Sequence, residues 1–371
     1  MHGPSPGRAI VSGEVVAPET EDQLEWLEGL DARFEAAAAN TSGPIERCYQ
    51  LAGRPLRVLF AGETMLRRFA PALEHLRVPD APDGAHTVSV WDAASTGTEP
   101  APVSVPEESP LGTVFTHSDL TRRALYMVGL RSLSVFDAEA NASWYWTGDA
   151  ARLPGWECAS PIRHVLHWWL SSQGLQQVHG GSIGTERGAV LIVGRGGRGK
   201  STTTLSALGS GLKYVGDDYV AVELAPKPIV HSLYNAGKLE PHHLARFPHL
   251  RELATLDVSD PLTDFEKPKA IVYVHAHFPA QTVASLPLVG IVIPTIDLSQ
   301  PTAIVPASRG EALRGLAPST LLQLHVGDQS LLSGLTELVG QLPAFTLRLG
   351  PDVESVGPLI ASLVDDQAVD G

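Results

Sequence analysis

The segment Gly194-Arg195-Gly196-Gly197-Arg198-Gly199-Lys200-Ser201 has the form G-x-x-x-x-G-K-[ST], the Walker A pattern, and it limits what the chain can fold into. The apolar run Ala189 to Val193 precedes it and the helix-compatible stretch Thr202 to Leu208 follows. A strand must deliver the chain into the loop and a helix must carry it away, which is the seed of an α/β sheet. Glycines let successive amide N–H groups converge on phosphate oxygens, and the helix N-terminus adds partial positive charge. Lys200 is placed to reach the β- and γ-phosphates, and Ser201 to put its hydroxyl on Mg²⁺. Gly194, Arg195, Gly196, Gly197, Arg198, Gly199, Lys200, Ser201 and Thr202 are therefore the expected nucleotide-binding residues, with ATP or GTP as ligand. Arg195 and Arg198 either add charge against the phosphates or are exposed.

The rest of the composition sets the surroundings of that loop. The 371 residues leave room for two domains, and 43% hydrophobic against 18% charged residues describes an ordinary globular chain. Its formal net charge of −14 gives no basic face for nucleic acid or an anionic membrane. A nucleotide site must then be a local positive spot in an acidic protein. Cys48 and Cys158 are the only cysteines and are expected as reduced thiols. No secretory signal and no run of 18 apolar residues is present, so a cytoplasmic location is expected.

Along the chain, Pro18 to Ala39 reads as an amphipathic helix through Leu24, Trp26, Leu27 and Leu30. A strand over Arg57 to Ala61 and a helix over Leu66 to Leu76 follow. Val78 to Pro110 is proline-rich and is expected to be loop-rich and partly mobile around one strand, Thr87 to Trp91. Ala124 to Val128, Ser132 to Phe136 and Ala142 to Thr147 suit a small antiparallel sheet. Ile162 to Leu175 reads as a helix, with Trp168 and Trp169 as packing residues. Past the loop, Lys213 to Leu224 is a strand candidate, followed by strands at Ala270 to His277, Leu288 to Ile296 and Thr302 to Val305. Helices are expected at Glu311 to Leu316, Ser319 to Leu324, Asp328 to Val339 and Val356 to Val364. The fold class expected is α/β, with a nucleotide-binding domain over 166–371 preceded by a smaller α+β domain over 1–165.

Two further features carry chemistry. Asp217 and Asp218 are consecutive, and neighbouring strand residues point to opposite faces, so one carboxylate can face phosphates while the other serves a metal or a neighbouring group. His179 lies in Val178-His179-Gly180, just before the strands that lead to the loop.

The string Val178-His179-Gly180, the run Gly188 to Gly194, the loop through Ser201, and Tyr214-Val215-Gly216-Asp217-Asp218-Tyr219-Val220 together resemble the C-terminal catalytic domain of bacterial HPr kinase/phosphorylase. The order and spacing of His-Gly, P-loop and Asp-Asp carry the resemblance, which covers about 175–224 closely. It implies an ATP- and Mg²⁺-dependent serine kinase in which His179 orients Asp217, Asp217 is the base toward a seryl hydroxyl, and Ser201 with Asp218 handles Mg²⁺. Lys200 is catalytic in the same picture. The family's Arg-Gly-Leu-Gly signature has only Arg314-Gly315-Leu316-Ala317 as a nearest match, in another context, so phosphorylase activity is not implied. Nor does the N-terminal half resemble the usual partner domain. The chain is thus expected to be a relative with another substrate, similar to kinases that tailor ribosomal peptides such as lasso-peptide precursors.

The expected partner is a peptide or small protein bearing the serine. A small-molecule alcohol is the alternative acceptor, and a nucleotide-binding regulator with slow ATPase activity is the alternative class. The resemblance also implies a homo-oligomer. Lys238 after Gly237, and Arg309 and Arg314, are open either as phosphate contacts or as exposed cations. His242, His243, His275 and His277 make no zinc pattern, so no metal beyond nucleotide-borne Mg²⁺ is expected.

Overall fold

The computed structural model describes residues 28–99, 113–118, 121–256, 269–324 and 329–370. Leu24, Trp26 and Leu27 of the first expected helix, the prolines at 100, 102, 106 and 110, and Asp328 lie outside the described residues.

The chain opens with helix α1 (Leu30–Ala39), strands β1 (Pro44–Leu51) and β2 (Arg54–Ala61), helix α2 (Glu63–Leu73), and strands β3 (Arg77–Val78) and β4 (His86–Asp92). Strands β5 (Thr113–Ser118), β6 (Arg122–Met127), β7 (Ser132–Asp137) and β8 (Ala142–Thr147) follow. All eight strands form one sheet in the order β3-β1-β2-β4-β8-β7-β6-β5. Strands β6, β7 and β8 are antiparallel, as their alternation implies, but they extend a larger mixed sheet because β8 pairs parallel to β4, and β4 parallel to β2. Strand β4 is buried on both faces, at Val88 and Val90 on one and at Ser89 and Trp91 on the other, as a central strand covered by helices must be.

Helix α3 (Arg163–Ser172) leads out of this sheet into a second one. Its strands are β9 (Gln176–His179), β10 (Gly181–Thr185), β11 (Gly188–Ile192), β12 (Lys213–Gly216), β13 (Tyr219–Glu223) and β14 (Ile229–Ser232). A three-stranded sheet of β15 (Ala236–Leu239), β16 (Thr255–Leu256) and β17 (Ala270–Tyr273) comes next, then β18 (Ser285–Ile296), β19 (Ala303–Ala307) and β20 (Ala344–Leu349) return to the large sheet. The large sheet runs β12-β10-β11-β18-β14-β13-β9, with β20 parallel to β18 and β19 antiparallel to β20. Helix α4 (Lys200–Gly209) leaves the P-loop, and α5 (Arg309–Leu324), α6 (Gln329–Gln341) and α7 (Val356–Asp370) complete the fold.

Several elements differ from expectation. Lys213 to Leu224 is two strands, because β12 pairs with β10 while β13 pairs with β9 and β14, and the chain bends at Asp217 and Asp218 to pass between them. The two short helices expected after residue 310 are one helix, α5, running through Pro318. It starts with a reciprocal capping box, in which Ser308 N donates to Glu311 Oε2 at 2.8 Å and Glu311 N donates to Ser308 Oγ at 3.3 Å. The strand expected over Ala270 to His277 stops at Tyr273 and turns into a short helical segment.

The layers explain the sequence's apolar richness. Phe34 of α1 packs with Trp91, Trp144 and Trp146 on one face of the first sheet. Between the two sheets, one continuous buried cluster joins Val58 and Phe60, Phe69 of α2, Trp168 and Trp169 of α3, Val178, Leu191, and Leu316 of α5. Trp168 and Trp169 are thus packing residues. Beyond the second sheet, Leu205 of α4 packs with Ile192, Leu347 and Ile360 of α7. Cys48 and Cys158 are both buried thiols outside any disulfide. No helix among the described residues is long and apolar enough to cross a membrane.

Candidate functional site

Strand β11 is buried along its whole length and pairs parallel to β18, so it delivers the P-loop to the carboxyl ends of the sheet's parallel strands. Crevices at those ends are where open α/β sheets hold ligands. The loop closes on Gly199, the N-cap of α4, whose φ of +97° favours glycine. A Cβ there would also lie 2.4 Å from Leu349 Cδ1, so only glycine lets the loop rest on β20. Lys200 is buried, and its Nζ donates to Gly194 O at 2.8 Å. Burial lowers its pKa, while the carboxylates of Asp218 and Asp217 oppose that shift.

A cavity of about 270 Å³ opens over the loop. Gly196, Gly197, Gly199, Lys200, Ser201 and Thr202 form one wall, and His179, Asp218 and Lys238 another. Arg195 and Arg198 are exposed and do not line it. Arg309 and Arg314 are likewise exposed and away from it. Arg246 and Lys269 join Lys200 and Lys238 in the lining, so the cavity is rich in cations within an acidic chain.

The bend between β12 and β13 turns the two aspartates to different places. Asp217 is 2% exposed and lies under α4. It accepts from Thr204 Oγ1 at 2.5 Å and from Lys238 N at 2.9 Å, and the Ser201 hydroxyl also bonds to it. Burial pushes its pKa up, against the pull of those hydrogen bonds. The approach of β15 that supplies the Lys238 amide depends on Gly237, where a Cβ would come within 2.5 Å of Leu205 on α4.

Asp218 faces the cavity with a quarter of its side chain exposed. Lys238 Nζ donates to its Oδ2 at 2.6 Å, and His179 Nε2 lies 3.2 Å from its Oδ1. Burial would raise its pKa, yet Lys238 and His179 hold it well below the usual carboxylate range. His179 thus meets Asp218, not Asp217 as the resemblance implied. The register decides this, because β9 pairs antiparallel to β13 with His179 opposite Tyr219, which puts the histidine beside residue 218. The metal-side expectation for Asp218 meets the same geometry, since the carboxylate bonded to Ser201 is that of Asp217.

Lys238 is fixed by more than Asp218. Its Nζ also donates to Trp156 O at 3.1 Å and Ser160 Oγ at 3.0 Å. Those two residues belong to the segment before α3, where Glu157 forms a buried ion pair with Arg163, the first residue of α3, and the Tyr145 hydroxyl of β8 donates to Glu157 Oε1 at 3.2 Å. The Arg163 guanidinium stacks 5.2 Å from the Trp156 ring. The buried pair thus anchors the segment that presents Trp156 O and Ser160 Oγ to Lys238, and this segment links the first sheet to Asp218. Sequence reasoning passed over Trp156, Glu157, Ser160, Arg163 and Thr204. Thr204, one helical turn after Ser201, had a local signal in its spacing, whereas the others arrive only through the packing of distant segments.

Of the other histidines, His242 lies 3.6 Å from Glu240 Oε2, and His75, not among those singled out, is 2.6 Å from Ser232 Oγ with its ring beside His275. Among the described residues no three His, Cys, Asp or Glu side chains are grouped to hold a metal ion.

No family model matches the chain, and no curated protein does. Among solved structures it is similar to the Hpr(Ser) kinase/phosphatase from Coxiella burnetii, at 12% identity over 53% of this chain and 97% of that one, with a TM-score of 0.27. At that score the functional reading rests on the site's own geometry.

Proposed function

We propose that this chain binds a nucleoside triphosphate with Mg²⁺ and transfers the γ-phosphoryl group to an acceptor hydroxyl, with Asp218 on the acceptor side and Asp217 on the metal side. The observation that carries this reading is that Lys200 and Asp218 line one cavity. A phosphoryl group held by the P-loop then shares a space with a carboxylate able to orient a hydroxyl.

The roles follow from the contacts. Loop amides from Gly196 to Thr202 and the Lys200 ammonium bind the phosphates. For Mg²⁺ the donor set fits a nucleotide-borne ion: one hydroxyl, Ser201, braced by the buried Asp217 carboxylate, with no closed cage of side chains around it among the described residues. Such an ion, when bound, neutralises charge developing on the phosphate oxygens. Asp218 remains ionised because Lys238 and His179 stabilise its charged form. A carboxylate held so low is a weak base, which suits a loose transition state that needs an oriented hydroxyl more than early proton removal. His179 and Lys238 fix its two oxygens and leave its exposed edge toward the cavity.

The acceptor in this reading is a serine of a peptide or small protein, as the resemblance of the His-Gly, P-loop and Asp-Asp motifs to HPr kinase/phosphorylase implies. The motif order supports that choice of acceptor. The sequence lacks an Asn-Lys-x-Asp guanine-reading motif, so nothing in it selects GTP over ATP as donor.

Equilibrium binding of Mg·ATP to the full chain and to Lys200→Met, together with transfer from γ-labelled ATP to serine peptides, tests the reading. Wild-type binding that weakens about 10-fold or more in the variant is expected. Equal binding by the two proteins would remove the nucleotide from this cavity.

A further inference from the structure

The carboxyl ends of β18 and β20 lie beside the P-loop, and their side chains differ in kind from the rest of the cavity. Ile296 and Leu349, paired across the two parallel strands, flank the loop with Leu298 and Val353. Gly199 touches this wall, since a Cβ on it would meet Leu349 at 2.4 Å and Ile296 Cγ1 at 3.8 Å. Ile296 is 52% exposed and Leu298 54% exposed. Two large aliphatic side chains held open beside a phosphate loop suit an apolar occupant attached to the phosphates.

The backbone behind these side chains is already engaged. Asp297 N donates to Leu349 O at 3.0 Å, and Gly350 N accepts no ligand role because it donates to Thr302 Oγ1 at 3.1 Å. The Asp297 carboxylate accepts from Ser299 N at 3.1 Å and Ser299 Oγ at 2.6 Å. The two amides and Asp297 Oδ1, which could otherwise form hydrogen bonds with the edge of a base, are thus bonded within the fold.

We infer that this apolar ledge is the nucleobase site, and that it holds the base by burying its face without reading its hydrogen-bonding edge. The inference rests on the nucleotide reading above and adds to it a base site and a loose base specificity. ATP and GTP are then taken nearly alike, because discrimination between bases requires polar groups that would be left unpaired by the wrong one.

Calorimetric titration of the full chain with the Mg²⁺ complexes of inorganic tripolyphosphate, ATP and GTP tests this, repeated on Ile296→Ser/Leu298→Ser. Both substituted residues are more than half exposed, so the variant is expected to fold, and its melting curve checks that. ATP and GTP should bind within about 3-fold of each other and each about 10-fold tighter than tripolyphosphate. In the variant both nucleotides should fall to within about 3-fold of tripolyphosphate. ATP favoured over GTP by about 10-fold or more would show that the edge is read and overturn the inference. So would nucleotides no tighter than tripolyphosphate, or a folded variant that loses nothing. Binding of none of the three would sink the nucleotide reading itself, and the ledge with it.

Discussion

Both large sheets mix parallel and antiparallel strands and both are covered by helices, yet they treat buried polar groups in opposite ways. In the first sheet those groups close on one another: His86 lies 2.9 Å from Ser143 Oγ and 3.1 Å from Asn141 Oδ1, and Asp92 accepts from Ser95 N at 2.9 Å. In the second, Lys200, Asp218, His179 and Lys238 converge on a cavity and line it together. Closed polar groups specify a fold, and converging ones leave a site. The seam between the two regions is the ion pair of Glu157 and Arg163, which holds Trp156 and Ser160 against Lys238.

Breaking that seam should have the largest effect. Glu157→Gln leaves Arg163 buried without its counter-charge, and loss of about 3–5 kcal/mol of stability is expected in chemical denaturation. Nucleotide turnover should fall with it, because Lys238 loses its framing. A variant that melts like the wild type would show that the two regions do not depend on each other through this pair.

Within the second region the neighbouring aspartates should separate. Asp218→Asn is expected to lower kcat for phosphoryl transfer by about 10²–10³, with nucleotide affinity changed less than about 3-fold. Asp217→Ala strands the Lys238 amide and the Thr204 hydroxyl and leaves Ser201 unbraced, so it should lower stability by about 1–3 kcal/mol and weaken Mg·ATP binding. If Asp217 carried the rate effect and Asp218 the stability effect, the assignment drawn from the bend between β12 and β13 would be reversed.

A subtler probe is pH. Asp218 titrates below its ordinary value of 3.8, so the stability its ionised form contributes is complete above that value and drains away as pH falls through the folded one. The acid limb of kcat/KM should accordingly lie below the usual carboxylate range in the wild type. Lys238→Met removes the nearest positive charge and should move that limb upward by about 1–3 pH units, as read from a pH–rate profile. A limb that stays in place would mean that Lys238 does not control the ionisation of Asp218.

How much of this was legible in the chain depends on the range of the contact. The P-loop, its strand and its helix are local, and Gly194 to Ser201 announces them. The partner of His179 was not legible, since it depends on the register between β9 and β13, about forty residues apart, and a shift of one residue changes which carboxylate it meets. The bend at Gly216 to Asp218 was hidden by apolar residues at Tyr214, Val215, Val220 and Val222, which read as one strand until their separate partners in the sheet are known. Glu157 and Arg163 gave no local sign, because their importance lies in meeting Tyr145 and framing Lys238 across the seam.

The smallest expected effect tests the closed character of the first sheet. Asp92 is fully buried, caps the helical turn Ala93–Thr96, and also accepts from Ala150 N at 3.3 Å, so its carboxylate is spent on backbone close to it. Asp92→Ala removes one cap and leaves those donors unpaired, which should lower stability by about 1–2 kcal/mol. Nothing in its bonding reaches the cavity, so Mg·ATP affinity at a temperature well below the melting transition should change by less than about 2-fold. A larger loss of affinity in a folded variant would mean that the polar groups of the first sheet are coupled to the site beyond the Glu157 seam, and the contrast between closed and converging regions would have to be redrawn there.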